Sequence, residues 1–182
     1  MGRARAETER GDAGFLELTA GCTGRLHRTA CLLTGGDTHL AEDLVQETLA
    51  RIYVVWRRQY AWPFGRGRID NPAAYAHTVL VRTFLEHRRR RSSGELLIGD
   101  LPEPDARTGP DSALRLTLLQ ALAALGPKDR AVVVLRHWED RSIEETAEVL
   151  RCSPGAVRTR TTRALARLRV LLGDSLVEPA DR

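Results

Sequence analysis

Residues 147–171 read AEVLRCSPGAVRTRTTRALARLRVL and predict the end of one helix, a tight turn and a longer helix with five arginines. We place the turn at Arg151–Pro154, where Ser153 is a good N-cap residue and the proline after it suits the first helical position. Upstream, Ser142 is followed three residues later by Glu145, the capping-box spacing that marks the start of a helix. Two helices joined in this way are typical of a helix-turn-helix.

Helical periodicity gives the longer helix two unlike faces. At about 100° per residue, the narrow sector that we expect to be buried contains Val157, Thr161, Ala164 and Leu168. The opposite sector contains Arg158, Thr159, Thr162, Arg163 and Ala166. Such a helix suits the DNA major groove, where arginine can bind guanine through two hydrogen bonds and threonine can contact base edges. The alternative is an ordinary helical hairpin whose arginines form only a solvated face.

Charge is distributed unevenly along the 182 residues, whose net charge is +4. Residues 1–94 carry 15 arginines against 10 acidic residues, and residues 113–172 carry 11 basic residues against six acidic ones. Between them, residues 95–112 carry one arginine, five acidic residues and three prolines. Two basic blocks separated by an acidic stretch without helical periodicity predict two small helical domains, both facing nucleic acid, on a flexible tether.

The composition argues against an enzyme or a metal protein. The three cysteines show no C-x-x-C spacing, so we expect no zinc site, no disulfide framework and a reducing cytoplasm. None of the five histidines lies four residues from another, and neither an H-E-x-x-H motif nor a glycine-rich phosphate loop occurs. We therefore expect no catalytic residue, no metal and no cofactor. No apolar run approaches the length of a membrane span, so we also expect no membrane insertion.

A predicted helix at residues 39–58 has an outer face that is polar but also carries apolar groups. Its inner face is broad and apolar, with Leu44, Val45 and Ile52 among its residues. Its outer face consists of Asp43, Gln46, Glu47, Ala50, Val54 and Arg57. An acidic pair on the same face as an exposed valine is typical of a protein-docking surface. A solvated face with scattered apolar residues fits these residues equally well.

The next predicted helix has clear signals at both ends. Asn71 is a good N-cap residue with proline after it, and helical periodicity continues to about Arg91. The helix ends in four consecutive arginines, more than its dipole requires, and this favours phosphate binding. The stretch before it, residues 59–70, contains Pro63 and two glycines and predicts an irregular connector.

Three blocks of the sequence form a recognisable series. They are LAEDLVQETLARIYVVW at 40–56, NPAAYAHTVLV at 71–81, and LQALAALGPKDRAVVVLRHWEDRSIEETAEVLRCSPGAVRTRTTRALARLR at 119–169. In this order they resemble RNA polymerase sigma factors of the extracytoplasmic-function (ECF) group, in particular the actinobacterial branch. The resemblance covers residues 13–172 and implies an all-α fold of two small helical domains. Region 2 would span 13–92, a flexible acidic linker 93–111, and region 4, with its helix-turn-helix, 112–172.

The resemblance implies a promoter-specificity factor, cytoplasmic and associated with the nucleoid when in holoenzyme, and not an enzyme. Its implied partners are promoter DNA, core RNA polymerase (the β′ clamp helices and the β flap) and an anti-sigma factor. The implied core-polymerase-binding residues are those of the outer face described above, Asp43, Gln46, Glu47, Ala50, Val54 and Arg57. The residues implied for the −10 element are Tyr75, Arg82, Thr83, Glu86, His87, Arg88 and Arg89, with a base-capture loop assigned to 82–89. Those implied for the −35 element are Ser153, Arg158, Thr159, Arg160, Thr162, Arg163 and Arg167, with Arg160 and Arg167 on phosphates.

The sequence departs from the family pattern after the VLV of the second block. Arg82 stands where many relatives have asparagine, and TFLEH at 83–87 replaces an aromatic pair, so we expect an unusual −10 preference. A helix-turn-helix is also found in self-contained regulators that bind an operator as a dimer. A flexible tether argues against this alternative, because a dimeric repressor needs a fixed half-site spacing.

Overall fold

The computed structural model describes residues 2–61, 69–93 and 110–177, and within these ranges the protein is all-helical, as predicted. The helices are α1 (Gly2–Thr34), α2 (Thr38–Ala61), α3 (Pro72–Ser93), α4 (Pro110–Ala123), α5 (Pro127–Val133), α6 (Ile143–Leu150) and α7 (Pro154–Val177). A π-helical turn, Val134–Trp138, continues α5. In this part of the chain, no helix is both long and apolar enough to cross a membrane.

Two predicted segments without periodicity fall largely outside the described residues. Most of the irregular connector predicted at 59–70 lies outside the described residues, because residues 62–68 are not described. Most of the linker predicted at 93–111 also lies outside them, because residues 94–109 are not described. At the C-terminal end of the predicted linker, α4 begins at Pro110, two residues before the predicted boundary.

The turn between α1 and α2 requires glycine for two reasons. Gly35 and Gly36 have φ angles of +74° and +98°, a region that side chains disfavour, and the N–H of Gly36 donates to the carbonyl of Cys31 at 2.9 Å to close α1. A Cβ atom on Gly35 would also lie 2.6 Å from the Cβ of Ala123 in α4. Asp37 then starts α2 by accepting the N–H of Leu40 at 2.9 Å.

The main hydrophobic core is shared between the two halves of the described structure. Its largest fully buried side chains include Leu26 of α1, Ile52 of α2 and Phe84 of α3. The same cluster also takes in Ala131, Val134, Leu135 and Val149 from the C-terminal half. The two basic blocks of the sequence therefore pack against each other in this conformation.

The helix-turn-helix forms as its sequence signals predict. Ser142 Oγ accepts the N–H of Glu145 at 3.0 Å, and the carboxylate of Glu145 accepts the N–H of Ser142 at 2.7 Å. Arg151 ends α6 in the left-handed region at φ +52°, and Ser153 Oγ accepts the N–H of Ala156 at 3.2 Å to cap α7. On the predicted inner stripe, Val157, Ala164 and Leu168 are buried and Thr161 is half-buried.

One helix departs from its prediction. The apolar residues Val132, Val133, Leu135 and Trp138 follow a helical period, which predicts a single helix over 127–138 with Trp138 mostly buried. Instead, the N–H of Glu139 donates to the carbonyl of Val134 at 3.0 Å, five residues back, which defines the π-helical turn. The extra residue in this turn rotates the side chains that follow, so Trp138 is 50% exposed and Glu139 faces the other half of the protein.

Candidate polymerase and DNA interface

The outer face of α7 presents most of its predicted DNA-binding residues to solvent. The exposed residues of the set are Ser153, Arg158, Thr159, Thr162, Arg163 and Arg167. Arg158 has only a loose ion pair, 3.8 Å from the carboxylate of Glu144, with both side chains largely exposed. Arg160 differs from the others, because it is half-buried and donates to Asp129 of α5 at 2.7 Å.

The two exposed threonines of α7 are oriented by the helix itself. Thr159 donates its hydroxyl to the carbonyl of Gly155 at 3.1 Å, and Thr162 donates to the carbonyl of Arg158 at 3.2 Å. Because each hydroxyl proton is used, the oxygen offers lone pairs outward beside the methyl group. In this state these side chains can accept from the amino groups of adenine or cytosine, or contact the thymine methyl.

The predicted −10 residues lie inside α3, and two assignments need correction. Residues 82–89 are helical throughout, so they do not form a base-capture loop. Thr83 is 1% exposed and turned into the core, so it cannot reach DNA in this conformation. The helix also buries Ala76, His77 and Leu80 on this side, which the mixed periodicity of α3 did not indicate.

The remaining −10 candidates differ widely in their environment. Tyr75 is half-buried and packs against the main core. Near the C-terminus of the helix, Arg88 is half-buried and Arg89 is exposed. His87 is half-buried, and burial, followed by the charges of Arg91 and Arg88, lowers its pKa. The shift favours the neutral imidazole, so His87 contributes less positive charge to this end of α3 than an ordinary histidine.

Arg82 contacts the other half of the protein. Its Nε and Nη2 atoms donate to the carbonyls of Val149 and Glu148, each at 3.1 Å, at the C-terminal end of α6. The carbonyls in the last turn of a helix lack their full set of intrahelical donors, so a guanidinium is a favourable cap. The carbonyl of Glu148 also accepts the N–H of Arg151 at 3.3 Å. In this conformation Arg82 therefore joins α3 to the first helix of the helix-turn-helix.

The outer face of α2 is exposed as predicted, with one exception. Asp43, Gln46, Ala50, Val54 and Arg57 are exposed, and Val54 reaches 51%. Glu47 is half-buried and accepts from Arg51 at 2.7 Å, and Arg51 also donates to Glu86 of α3 at 2.9 Å. The hydrogen bond from Arg51 is the main reason that the pKa of Glu86 is lowered. Glu86, a −10 candidate, thus links α3 to α2.

Glu139 is a buried carboxylate between the two halves that the sequence did not predict. The Glu139 side chain is 3% exposed and accepts the hydroxyl of Thr29 at 2.5 Å. Nδ1 of His77 lies 3.1 Å from it, and Arg25 donates to it at 3.3 Å. Burial is the largest single effect on Glu139 and would raise its pKa. The contacts with His77, Thr29 and Arg25 together outweigh burial, so the pKa of Glu139 is lowered. No local pattern in the sequence signals these contacts.

Together, these helices define a two-part, all-helical DNA-binding protein. Residues 22–94 match the family described as Sigma-70 region 2, and residues 115–168 match Sigma-70, region 4. The RNA polymerase sigma-E factor of Streptomyces coelicolor is 42% identical over 130 residues, which cover 71% of this chain and 70% of that protein. The sigma-E factor of Streptomyces antibioticus is 40% identical over 132 residues, with 71% and 68% covered.

A solved structure agrees with these relatives. It is that of the sigma factor RpoE of Bartonella quintana, in complex with the anti-sigma factor NepR. The two sigma factors are 27% identical and superpose with a TM-score of 0.65, and the alignment covers 91% of this chain and 99% of RpoE. The chain belongs to the sigma-70 family, as a sigma factor of the actinobacterial ECF type. It binds core RNA polymerase and promoter DNA, directs promoter-specific transcription initiation and is not an enzyme.

Proposed function

We propose that the two halves of this sigma factor divide promoter recognition between them. Residues 13–92 would bind core polymerase and the −10 element, residues 112–172 would bind the −35 element, and residues 93–111 would connect them. The observation that carries this proposal is the exposed arginine and threonine face of α7, behind a fully formed helix-turn-helix. These are the side chains that hydrogen-bond to base edges in a major groove.

The polymerase-binding surface that we propose is the outer face of α2. Asp43, Gln46, Ala50, Val54 and Arg57 contribute exposed side chains, with Glu47 at its edge. Support for this assignment comes from the match of residues 22–94 to Sigma-70 region 2, and Val54, at 51% exposure, offers an apolar contact to the partner. The partner elements are the β′ clamp helices, while region 4 contacts the β flap.

Replacing Asp43 with arginine should weaken binding to bacterial core RNA polymerase at least about tenfold, because a reversed charge at an interface is repelled by the groups that attracted the original one. Asp43 is exposed and on the outer face of α2, so its replacement leaves the core intact. The measurement is a titration of labelled full-length protein with core polymerase. Glu17→Arg is the matched control, an exposed acid on α1. Equal weakening by both variants, or by neither, contradicts the assignment of this surface.

Arg158→Ala should reduce binding to a preferred −35 duplex by about tenfold and relax selection at one base position, as expected for loss of an arginine that reads a base. The preferred duplex is obtained by selecting from a randomised pool with the wild-type protein. Arg169→Ala is the matched control, since it removes another exposed arginine of α7 that lies outside the proposed set. If Arg169→Ala relaxes selection as much as Arg158→Ala, the proposed reading face is wrong.

The −10 surface that we propose excludes Thr83. Its members are Tyr75, Arg82, Glu86, His87, Arg88 and Arg89. Arg82 and Glu86 can take part only after releasing their contacts with α6 and Arg51, respectively. Movement of region 4 away from α3 would therefore release Arg82, whereas Glu86 would still be paired with Arg51 of α2.

An anti-sigma factor is a further partner that we propose. The sigma factor from Bartonella quintana is in complex with an anti-sigma factor, and its alignment with this chain covers 99% of its length. We also propose that the protein acts in the cytoplasm and is associated with the nucleoid when in holoenzyme, because its partners in transcription are located there.

A further inference from the structure

Asp129, in the first turn of α5, contacts two arginines of the recognition helix. Arg163 donates to its two carboxylate oxygens from Nη2 at 2.9 and 2.7 Å, and from Nε at 3.2 Å. Arg160 donates to Oδ1 at 2.7 Å. The Asp129 side chain is only 17% exposed, whereas that of Arg163 is 62% exposed. One carboxylate outside the helix-turn-helix thus holds two side chains of its DNA-facing helix.

We propose that Asp129 is a positioning residue that sets how Arg160 and Arg163 meet −35 DNA, an inference that rests on the DNA-binding role proposed for α7. The contact uses the Nε and Nη2 edge of Arg163, which leaves Nη1 directed away from Asp129. A guanidinium fixed along one edge is oriented before binding, so less rotamer freedom is lost when its other edge meets a base or a phosphate.

The carboxylate also reduces the charge available to phosphates. Asp129 offsets one of the two positive charges of Arg160 and Arg163. Sequence-independent binding depends on the number of phosphates that cations neutralise, and each one contributes about 0.9 to the slope of log affinity against log salt. Asp129 therefore favours discrimination between sequences over general attraction to DNA.

A simple structural role makes a different prediction. An acidic residue in the first turn of a helix stabilises that helix through its dipole, and Asp129 occupies such a position in α5. If that were its only function, Asp129→Asn would lower thermal stability without changing sequence preference. The two roles are therefore separated by measuring discrimination and salt dependence together with the melting temperature.

The test compares full-length wild type and Asp129→Asn on two duplexes, one enriched by the wild type from a randomised pool and one scrambled. We expect the ratio of their affinities to fall about tenfold in the variant, and the salt slope on the scrambled duplex to steepen by about one. Glu144→Gln is the matched control, because its pair with Arg158 is long and exposed, and it should change neither quantity. Asp129→Glu keeps the charge, and its slope should remain close to that of the wild type.

The possible results separate the positioning role of Asp129 from the DNA-binding role of α7. An unchanged ratio and slope in Asp129→Asn, with the wild type still selecting a sequence, overturns the positioning role and leaves the proposed function of α7 intact. If the wild type enriches no sequence, the proposed −35 function of α7 fails, and the positioning role fails with it. A lower melting temperature with unchanged discrimination assigns Asp129 to the stability of α5 alone.

Discussion

Replacing Arg130 with methionine should lower the free energy of unfolding by about 3–5 kcal/mol, because three carbonyl acceptors lose a charged donor at about 1–3 kcal/mol each. The Arg130 side chain is buried, with 3% exposure for the residue. It donates to the carbonyls of Leu33 at 2.8 Å, Ala123 at 2.6 Å and Leu125 at 3.1 Å. Methionine fills similar space but leaves these acceptors without a donor at the ends of α1 and α4. Urea unfolding followed by helical circular dichroism measures the loss.

The geometry of arginine is needed here as well as its charge. Burial lowers the pKa of Arg130 to about 10, so the guanidinium remains protonated at neutral pH. Its planar fork reaches the carbonyls of Leu33 in α1, Ala123 in α4 and Leu125 in the turn after α4, which an ammonium on a flexible chain does not match. Arg130→Lys should therefore recover only part of the stability. Lys128→Met, at an exposed position two residues earlier, should cost less than about 0.5 kcal/mol. Equal losses at the two positions would show that Arg130 carries no special contact.

The parts of the fold that were predictable depend on local signals. Asn71, Ser142 and Ser153 each cap a helix as predicted, because a cap needs only one side chain and a backbone N–H three residues away. The outer face of α7 was predictable for a similar reason. Its inner stripe contains small and apolar residues in a single sector, so the exposed sector follows from the helix period.

The −10 surface was less predictable because α3 lacks a clean polar face. Apolar and polar residues alternate around it, and Thr83 is buried while Arg82 beside it reaches region 4. Which side of such a helix faces inward is decided by α1, α2 and α6 packing around it. Only the tertiary structure contains that information.

The contacts between the halves could not be predicted at all. Glu139 meets Thr29 across a separation of 110 residues, and Arg130 meets Leu33 across 97. The direction of Glu139 also depends on the π-helical turn before it, which the periodicity did not indicate. An acidic residue after an apolar run is ordinarily interpreted as solvent-exposed, so its burial becomes evident only from the packed structure.

Replacing Glu139 with alanine should lower the free energy of unfolding by about 2–4 kcal/mol, because it removes the acceptor of a buried hydrogen-bonded cluster. The hydroxyl of Thr29 and Nδ1 of His77, both in the other half of the protein, lose this carboxylate. Urea unfolding of full-length protein at pH 7 measures the effect. Glu42→Ala, at an exposed position on α2, is the control and should stay within about 0.5 kcal/mol of the wild type.

The pH dependence of this effect identifies the charged carboxylate as its source. The pKa of Glu139 is lowered from its ordinary value of 4.5 in the folded protein, so its charge contributes stability above that value, and this contribution is lost as pH falls through the folded pKa. Comparison with Glu139→Gln, which keeps the shape but not the charge, should therefore show a deficit at pH 7 that shrinks below pH 4.5. His77 and Arg25 face the same carboxylate, and both remain in the variant. If the halves were apart in solution, Glu139 would be an exposed side chain, and neither substitution would change stability more than Glu42→Ala.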